Sequence, residues 1–351
     1  MVRASSPGVV SAGGPTDRAL GCLLGLCVGG ALGRAAALGA GSSGDAVEVE
    51  DALAWGPDTL EIPGPTAAIG APAAFALATA ESWVAHGLVV EPDLARRWCA
   101  LAREGDLEAG AITRAALDAW SDGAPLDRAA AMASRLRPGR AGDGPLARAL
   151  PLVLGVGGDR LLLRRAAYRS ATVTHADPVA AFVTVAACLF GLDLLRLPVA
   201  EAGRRTVQAV CEDLPLRALD ALRPAPPQEP APAGQDAVGV LAAAITLLAR
   251  FERFETVVVD AANRGGGLTG SASAGALAGG LAGLRDGAEA IPRRWVEALT
   301  PDLRARCARL AETLPQAAGG VAALPEAPEA AVPAAPRGAG DGAAVRAPEP
   351  G

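Results

Sequence analysis

The chain contains no lysine, and its 32 basic residues are all arginine. This absence excludes chemistries that need an amine: a Walker-type phosphate loop, a Schiff base with a carbonyl substrate and the lysine of protein kinases. Only two histidines occur, His86 and His175, so a zinc site built from several histidines is excluded as well. A catalytic site must therefore use carboxylates, hydroxyls, arginine, backbone groups or one of these two imidazoles.

Aromatic residues are scarce: they make up 3% of the 351 residues, although 51% of the chain is hydrophobic. A core built mainly from alanine and leucine favours helices over strands. The apolar periodicity is helical from about residue 16 to 313, including helices over 17–32 and 293–312, and only 46–50 and 256–260 alternate as a strand would. We predict a compact, orthogonal multi-helix all-α bundle over 16–313.

The first predicted helix has glycines at four-residue spacing, namely Gly21, Gly25 and Gly29. Small residues at this spacing allow a second helix to approach closely. The apolar run is interrupted at Arg34 and follows a polar lead-in, so we expect a buried helix rather than a membrane span or a signal peptide.

The two ends of the chain differ from its middle. Residues 1–15 are small and polar, and residues 314–351 are rich in proline, alanine and glycine, so neither segment can bury enough apolar surface to order itself. We predict that both are disordered and that the C-terminal tail is a candidate tether for a protein partner. A proline-rich loop is predicted at 223–235.

The net charge and the cysteines of the chain indicate which binding partners and which cellular compartment to expect. The net charge of −6 argues against a nucleic-acid partner. The six cysteines are scattered and form no CxxC pair, which is typical of free, mostly buried thiols in a reducing cytoplasm. We therefore expect a cytoplasmic protein with neither nucleic acid nor membrane as its partner.

The segment 174–178, Thr-His-Ala-Asp-Pro, is the most informative short motif. Thr174 or Asp177 can cap the following helix, and Pro178 suits its first turn. His175 then lies at a helix entrance, where it either faces a cleft or only orders the turn. The glycine-rich stretch 264–270 also allows two interpretations: it is either a phosphate-binding loop or a turn between two helices.

Seven segments, taken in order, form a pattern. They are DRALGCLLGLCVGGALG (17–33), FALATAESW (75–83), ITRAALDAWSDGAP (112–125), GDGPLARALPL (142–152), THADP (174–178), FETVVVDAANRGGGLTGSASAGALAGGLAG (254–283) and AIPRRW (290–295). This pattern resembles the ADP-ribosylglycohydrolase family, which includes the dinitrogenase reductase-activating glycohydrolases. The resemblance implies an all-α fold with a cleft for two Mg²⁺ ions and hydrolysis of the glycosidic bond of ADP-ribose on arginine, serine or a small molecule.

The sequence departs from this family wherever the family supplies carboxylates to magnesium. Gly30 stands in place of the acid of the family's GDALG stretch. The Thr-Asp-Asp-Thr turn aligns with 70–73 or, shifted by one helical turn, with 66–69, and neither stretch contains an acid. The Gly-Gly-Asp-Thr-Asp-Thr turn is 265–270 here, and Thr269 is its only hydroxyl. Because Mg²⁺ needs oxygen ligands, chiefly carboxylates, we predict no metal site and no metal cofactor.

We therefore predict a catalytically inactive binding or scaffold protein with a residual cleft for an ADP-ribose-like small molecule or an ADP-ribosylated protein. The expected ligand-binding residues are Gly142, Asp143, Gly144, His175, Asn263, Gly265, Gly266 and Thr269.

Two alternatives remain open. One is an active hydrolase that uses non-standard acids, Asp143, Asp58 or Glu61, with His175 as base. The other is a purely structural role in which the C-terminal tail holds a partner.

Overall fold

The computed structural model of the chain describes residues 14–41, 69–103, 107–139, 141–224, 236–264 and 268–317, with the side chains of 38–41 and 268–269 outside that description. The regular elements in these ranges are all helical. In chain order they are α1 (Pro15–Gly41), α2 (Gly70–His86), α3 (Glu91–Arg103), α4 (Ala111–Ser121), α5 (Leu126–Ser134), α6 (Pro145–Ala149), α7 (Leu152–Gly155), α8 (Arg160–Thr172), α9 (Pro178–Leu194), α10 (Val199–Ala209), α11 (Leu216–Leu222), α12 (Ala237–Arg250), α13 (Phe254–Arg264), α14 (Leu268–Asp286), a 3₁₀ turn (Ala288–Ala290), α15 (Arg293–Ala298) and α16 (Pro301–Ala317). The all-α prediction is confirmed.

Helices α1 and α14 pack along their length with almost no side chain between them. A Cβ atom placed on Gly25 would lie 2.1 Å from the carbonyl oxygen of Gly279, and one placed on Gly29 would lie 2.0 Å from that of Gly275. The four-residue spacing of glycines predicted a close helix partner, and α14 is that partner. Because the backbones touch, this pair forms the centre around which the other helices pack.

Helix α1 is longer than the sequence periodicity indicated, since it extends from Pro15 to Gly41 rather than over 17–32. Its apolar stretch Pro15–Ala37 is long and apolar enough to cross a membrane, but 83% of the most apolar window lies buried inside the fold. Such burial is typical of the core helix of a globular domain.

The strand-like alternation at 256–260 is misleading, because these residues belong to α13. The buried side chains of this helix include Phe254, Val257, Val258 and Ala261. This is the spacing of one helical face, and tertiary burial therefore overrides the local preference of valine for strands. The other alternating stretch, 46–50, lies outside the described residues.

The C-terminal helices differ from the prediction in two ways. The expected single helix over 293–312 is two helices, because Pro301 disfavours a helical conformation of Thr300 and starts α16 anew. Helix α16 then continues to Ala317, past the predicted boundary at 313, and contains Pro315. Leu314 is fully buried, which explains why the helix continues beyond that boundary.

The six cysteines are free, as predicted. Five are buried, and Cys211 is exposed. The closest pair is Cys27 and Cys307, whose Sγ atoms lie 3.8 Å apart between α1 and α16.

Candidate functional site

A pocket of 330 Å³ lies where α2, α4, α6 and α14 begin and where the turn between α8 and α9 passes. Its wall includes Ala71 and Pro72 from α2, Ile112 and Thr113 from α4, the stretch 141–144 before α6, His175, and Gly270 and Ser273 from α14. The volume is in the range of small-molecule sites. The sequence-predicted residues Gly142, Asp143, Gly144 and His175 therefore line one pocket.

Two glycines allow the imidazole of His175 to lie against the main chain. A Cβ atom on Gly142 would lie 2.6 Å from His175 Nε2, and one on Gly144 would lie 3.0 Å from the Oγ1 atom of Thr113. Any other residue at 142 would force the ring to move. The stretch is fixed at its other side by α12, because the amide of Ala237 donates to the carbonyl of Ala141 at 2.9 Å.

The turn that carries His175 is held at both ends. Asp177 caps α9 by accepting a hydrogen bond from the amide of Ala180 at 3.0 Å, and Pro178 occupies the first turn. The amide of Ala176 donates to the Oγ atom of Ser134 at 3.0 Å, which ties the turn to α5. Of the two predicted capping residues, Asp177 is therefore the one that caps.

His175 is 2% exposed, and its Nδ1 atom lies 2.7 Å from the Oγ1 atom of Thr174. Burial lowers the pKa of this imidazole well below its usual value, and the positive charge of Arg148 lowers it further. The ring is therefore neutral at physiological pH, with its Nε2 edge against Gly142.

Arg148 lies behind this wall and is fully buried. Its guanidinium donates to the Oγ1 atom of Thr174 at 2.5 Å and to that of Thr113 at 3.4 Å, and its Cζ atom lies 4.3 Å from the centre of the Trp98 ring. No carboxylate among the described residues forms an ion pair with it. Burial lowers the pKa of Arg148 to about 9, and the nearby charge of Asp143 acts in the opposite direction.

Asp143 is partly buried in the wall of the pocket. Burial raises the pKa of its carboxyl above the usual value, since the charged form loses hydration. The hydrogen bond with Ser273 of α14 acts against this shift, and the negative charge of Asp236 adds to it. The site thus contains a carboxyl group that holds its proton more tightly than an exposed aspartate does.

The space beside Gly30, the position that the resemblance aligns with the family's first metal-binding acid, is closed. A Cβ atom on Gly30 would lie 2.2 Å from the carbonyl oxygen of Ile69 and 3.3 Å from the Cβ atom of Ala73. The main chain at the start of α2 therefore occupies the space that a carboxylate would need. Gly70 makes this approach possible, because its φ of 73° lies in the left-handed region.

Among the described residues, the oxygen donors around the pocket do not fit two magnesium ions. Asp143 and Glu108 are the carboxylates in the pocket wall, and Glu108 is exposed. Across the described ranges, no three acidic, histidine or cysteine side chains are close enough together to hold a metal ion. Magnesium keeps its hydration unless several oxygen ligands replace it, so the described part of the site offers too few.

Of the remaining predicted residues, Asn263 is described and does not line the pocket, and the side chains of the others lie outside the description. Asn263 is exposed near the end of α13 and is not among the lining residues. Thr269 lies in the first turn of α14, and its side chain is outside the description. Gly265, Gly266, Asp58 and Glu61 lie outside the described residues, so their roles stay predictions.

Sequence reasoning missed Thr113 and Ser273, which line the pocket, and Arg148, which lies behind its wall. Arg148 carried a signal, because it is the single charge in the otherwise apolar run 145–154. A charge within a buried run needs a partner, so this position indicated a buried polar network.

A sequence profile of the ADP-ribosylglycohydrolase family matches residues 12–324. The solved structure of an "ADP-ribosylglycohydrolase-related protein complex" is similar, with a TM-score of 0.68 and 29% identity over 87% of this chain and 99% of that one. Among curated protein sequences, no significant match was found.

Proposed function

This chain belongs to the ADP-ribosylglycohydrolase family, and from that premise we propose that it binds an ADP-ribose-type ligand without hydrolysing it. The ligand occupies the pocket between the start of α2 and His175, either as a free small molecule or as the modification of a protein. No metal cofactor takes part.

The observation that carries this proposal is the contrast between two parts of one site. The Gly142–Gly144 stretch and His175 form a pocket, while the backbone of Ile69 fills the space beside Gly30 where the family has an acid. The described residues thus favour retention of a ligand pocket together with loss of the machinery that activates water through metal ions. Function depends on the site rather than on the fold, so family membership alone does not supply the activity.

The test is a calorimetric titration of the full chain with ADP-ribose in a buffer that contains EDTA. We expect saturable binding at one site and no change in affinity when magnesium replaces EDTA. In parallel, ADP-ribosyl-arginine is incubated with the protein and magnesium, and no free arginine is expected. Absence of ADP-ribose binding, or release of arginine that depends on magnesium, would contradict the proposal.

A pair of variants locates the binding. Gly142→Ala places a methyl group against the His175 ring, 2.6 Å from Nε2, and is expected to weaken binding at least about tenfold. Gly14→Ala introduces the same methyl group where no atom lies within 4 Å, and it should bind as the wild type does. Equal loss in both variants would argue against this pocket as the site.

One observation favours a second candidate, a hydrolase that works without metal. Asp143 has a raised pKa and shares the pocket wall with Glu108, and many glycosidases use two carboxyl groups of which one has a raised pKa. This candidate predicts turnover in EDTA that is lost in both Asp143→Asn and Glu108→Gln. Without such turnover it is rejected.

A further inference from the structure

The buried guanidinium of Arg148 is an unusual group to find behind a ligand pocket. It is fully buried, and within the described residues its polar partners are the neutral hydroxyls of Thr174 and Thr113. A buried cation is costly without compensating charge, and the nearby Asp143 carboxyl and the Trp98 ring face compensate only in part. The arrangement therefore points to a role for Arg148 beyond packing.

The hydrogen bonds of the Thr174 hydroxyl link Arg148 to His175. A guanidinium can only donate, so Thr174 Oγ1 accepts from Arg148, and the hydroxyl still has one proton to donate. In the described surroundings, the acceptor within reach is Nδ1 of His175, at 2.7 Å. The positive charge of Arg148 also turns that proton away from itself and toward the ring. Nδ1 is then an acceptor, and the proton of the neutral imidazole is on Nε2.

The position of the His175 ring determines what a proton on Nε2 can do. Nε2 lies on the edge of the ring that packs against Gly142, and both Gly142 and His175 line the pocket. With its proton on Nε2, His175 cannot accept a proton there as a general base; it donates a hydrogen bond to an oxygen atom of whatever occupies the pocket.

We propose that Arg148 is a positioning residue that acts through the Thr174 hydroxyl to hold His175 in the Nε2–H tautomer, so that the pocket selects ligands presenting an acceptor oxygen. The ligand side of this statement rests on the proposed function, whereas the tautomer does not. Thr113 is oriented in the same way. Its hydroxyl oxygen accepts a hydrogen bond from Arg148, and the residue lines the pocket.

The test measures the ¹⁵N chemical shifts of the two ring nitrogens by long-range ¹⁵N–¹H NMR of protein labelled at histidine. The chain has only two histidines, and a His86→Gln background leaves the His175 ring alone in the spectrum. We expect a pyridine-like shift at Nδ1 and a pyrrole-like shift at Nε2. A ring with its proton on Nδ1 would overturn the proposal.

Variants of Thr174 test the relay while retaining the buried volume. Thr174→Val removes the hydroxyl, and the spectrum should change to a mixture of tautomers or to Nδ1–H, whereas Thr174→Ser should restore the wild-type pattern. Arg148→Met, if it folds, should give the same mixture. An unchanged Nε2–H tautomer in Thr174→Val would overturn the relay.

Ligand binding by the same variants separates the two proposals. Thr174→Val should weaken ADP-ribose binding about five- to tenfold, the effect of losing one neutral hydrogen bond, and Thr174→Ser should restore it. If the tautomer behaves as expected but the wild type binds no ADP-ribose, the proposed function fails and the relay stands. If ADP-ribose binds but the tautomer is not Nε2–H, the relay fails and the proposed function stands.

Discussion

Gly30 of α1 lies directly beneath the carbonyl group of Ile69, so close that a Cβ atom at position 30 would be 2.2 Å from the carbonyl oxygen. A side chain at position 30 therefore has no room unless the start of α2 shifts. The start of α2 is in contact with α1 and occupies this space. An acid introduced at position 30 is expected to disturb this packing rather than to create a metal site.

Gly30→Asp tests this expectation. The variant should lose at least about 2–3 kcal/mol of unfolding free energy, because a carboxyl group is forced against buried backbone. Gly14→Asp, where no atom lies within 4 Å, is the matched control and should stay near the wild-type value. The measurement is urea unfolding with and without magnesium. A Gly30→Asp protein of normal stability that gains stability from magnesium would contradict this account.

The contact between α1 and α14 gives a second prediction. A Cβ atom on Gly25 would lie 2.1 Å from the carbonyl oxygen of Gly279, and backbone on both sides leaves no flexible side chain to move aside. Gly25→Ala should therefore destabilise the protein by about 1–3 kcal/mol or more.

The same substitution at Gly14 is the control for Gly25→Ala. It costs at most about 1 kcal/mol, the range for a helix N-terminal position. Denaturant midpoints at constant m-value measure the difference. If the two variants have equal midpoints, the helix backbones are not in contact.

The sequence predicted the parts of the fold that depend on local pattern. The glycine spacing of α1 predicted a second helix in close contact. The Thr-His-Ala-Asp-Pro segment predicted the start of α9, with His175 beside it. The pattern could not show that Ile69 fills the space next to Gly30, or that Arg148 lies behind His175, because both facts depend on segments far apart in the chain. Both positions result from packing between distant segments, which a local sequence pattern does not specify.

Asp143 yields a prediction about pH. Burial raises the pKa of its carboxyl in the folded state, so the folded protein binds that proton more tightly than the unfolded chain does. By linkage, stability from this group is present at acidic pH and is lost as the pH rises from about 4 through the raised pKa. Asp143→Asn has no such loss and still offers an acceptor to Ser273.

The stability difference between Asp143→Asn and the wild type should therefore grow in favour of the variant from about pH 4 to pH 7. Thermal or urea unfolding of the two proteins across this range measures it, and the other titrating groups cancel in the difference. A difference that stays constant, or that shrinks with rising pH, would show that the carboxyl is not held in an environment that disfavours its charge.

His175 gives the opposite dependence. Burial and the charge of Arg148 lower the pKa of the folded imidazole well below 6.5, while Asp143, partly buried nearby, does not reverse this. The unfolded chain therefore binds a proton that the folded protein does not. Stability should be lost as the pH falls below about 6.5, by at most about 1.4 kcal/mol per pH unit from this residue.

The variant His175→Gln should remove this part of the acid sensitivity. His86→Gln is the matched control, because His86 lies at the end of α2 beside Asp93, outside the pocket, and its side chain is 39% exposed. The control should retain the loss that comes from His175. The measurement is the unfolding free energy of the three proteins between about pH 5 and pH 8. If His175→Gln loses stability with acid as steeply as the wild type, the imidazole is not held neutral by its burial and by the charge of Arg148.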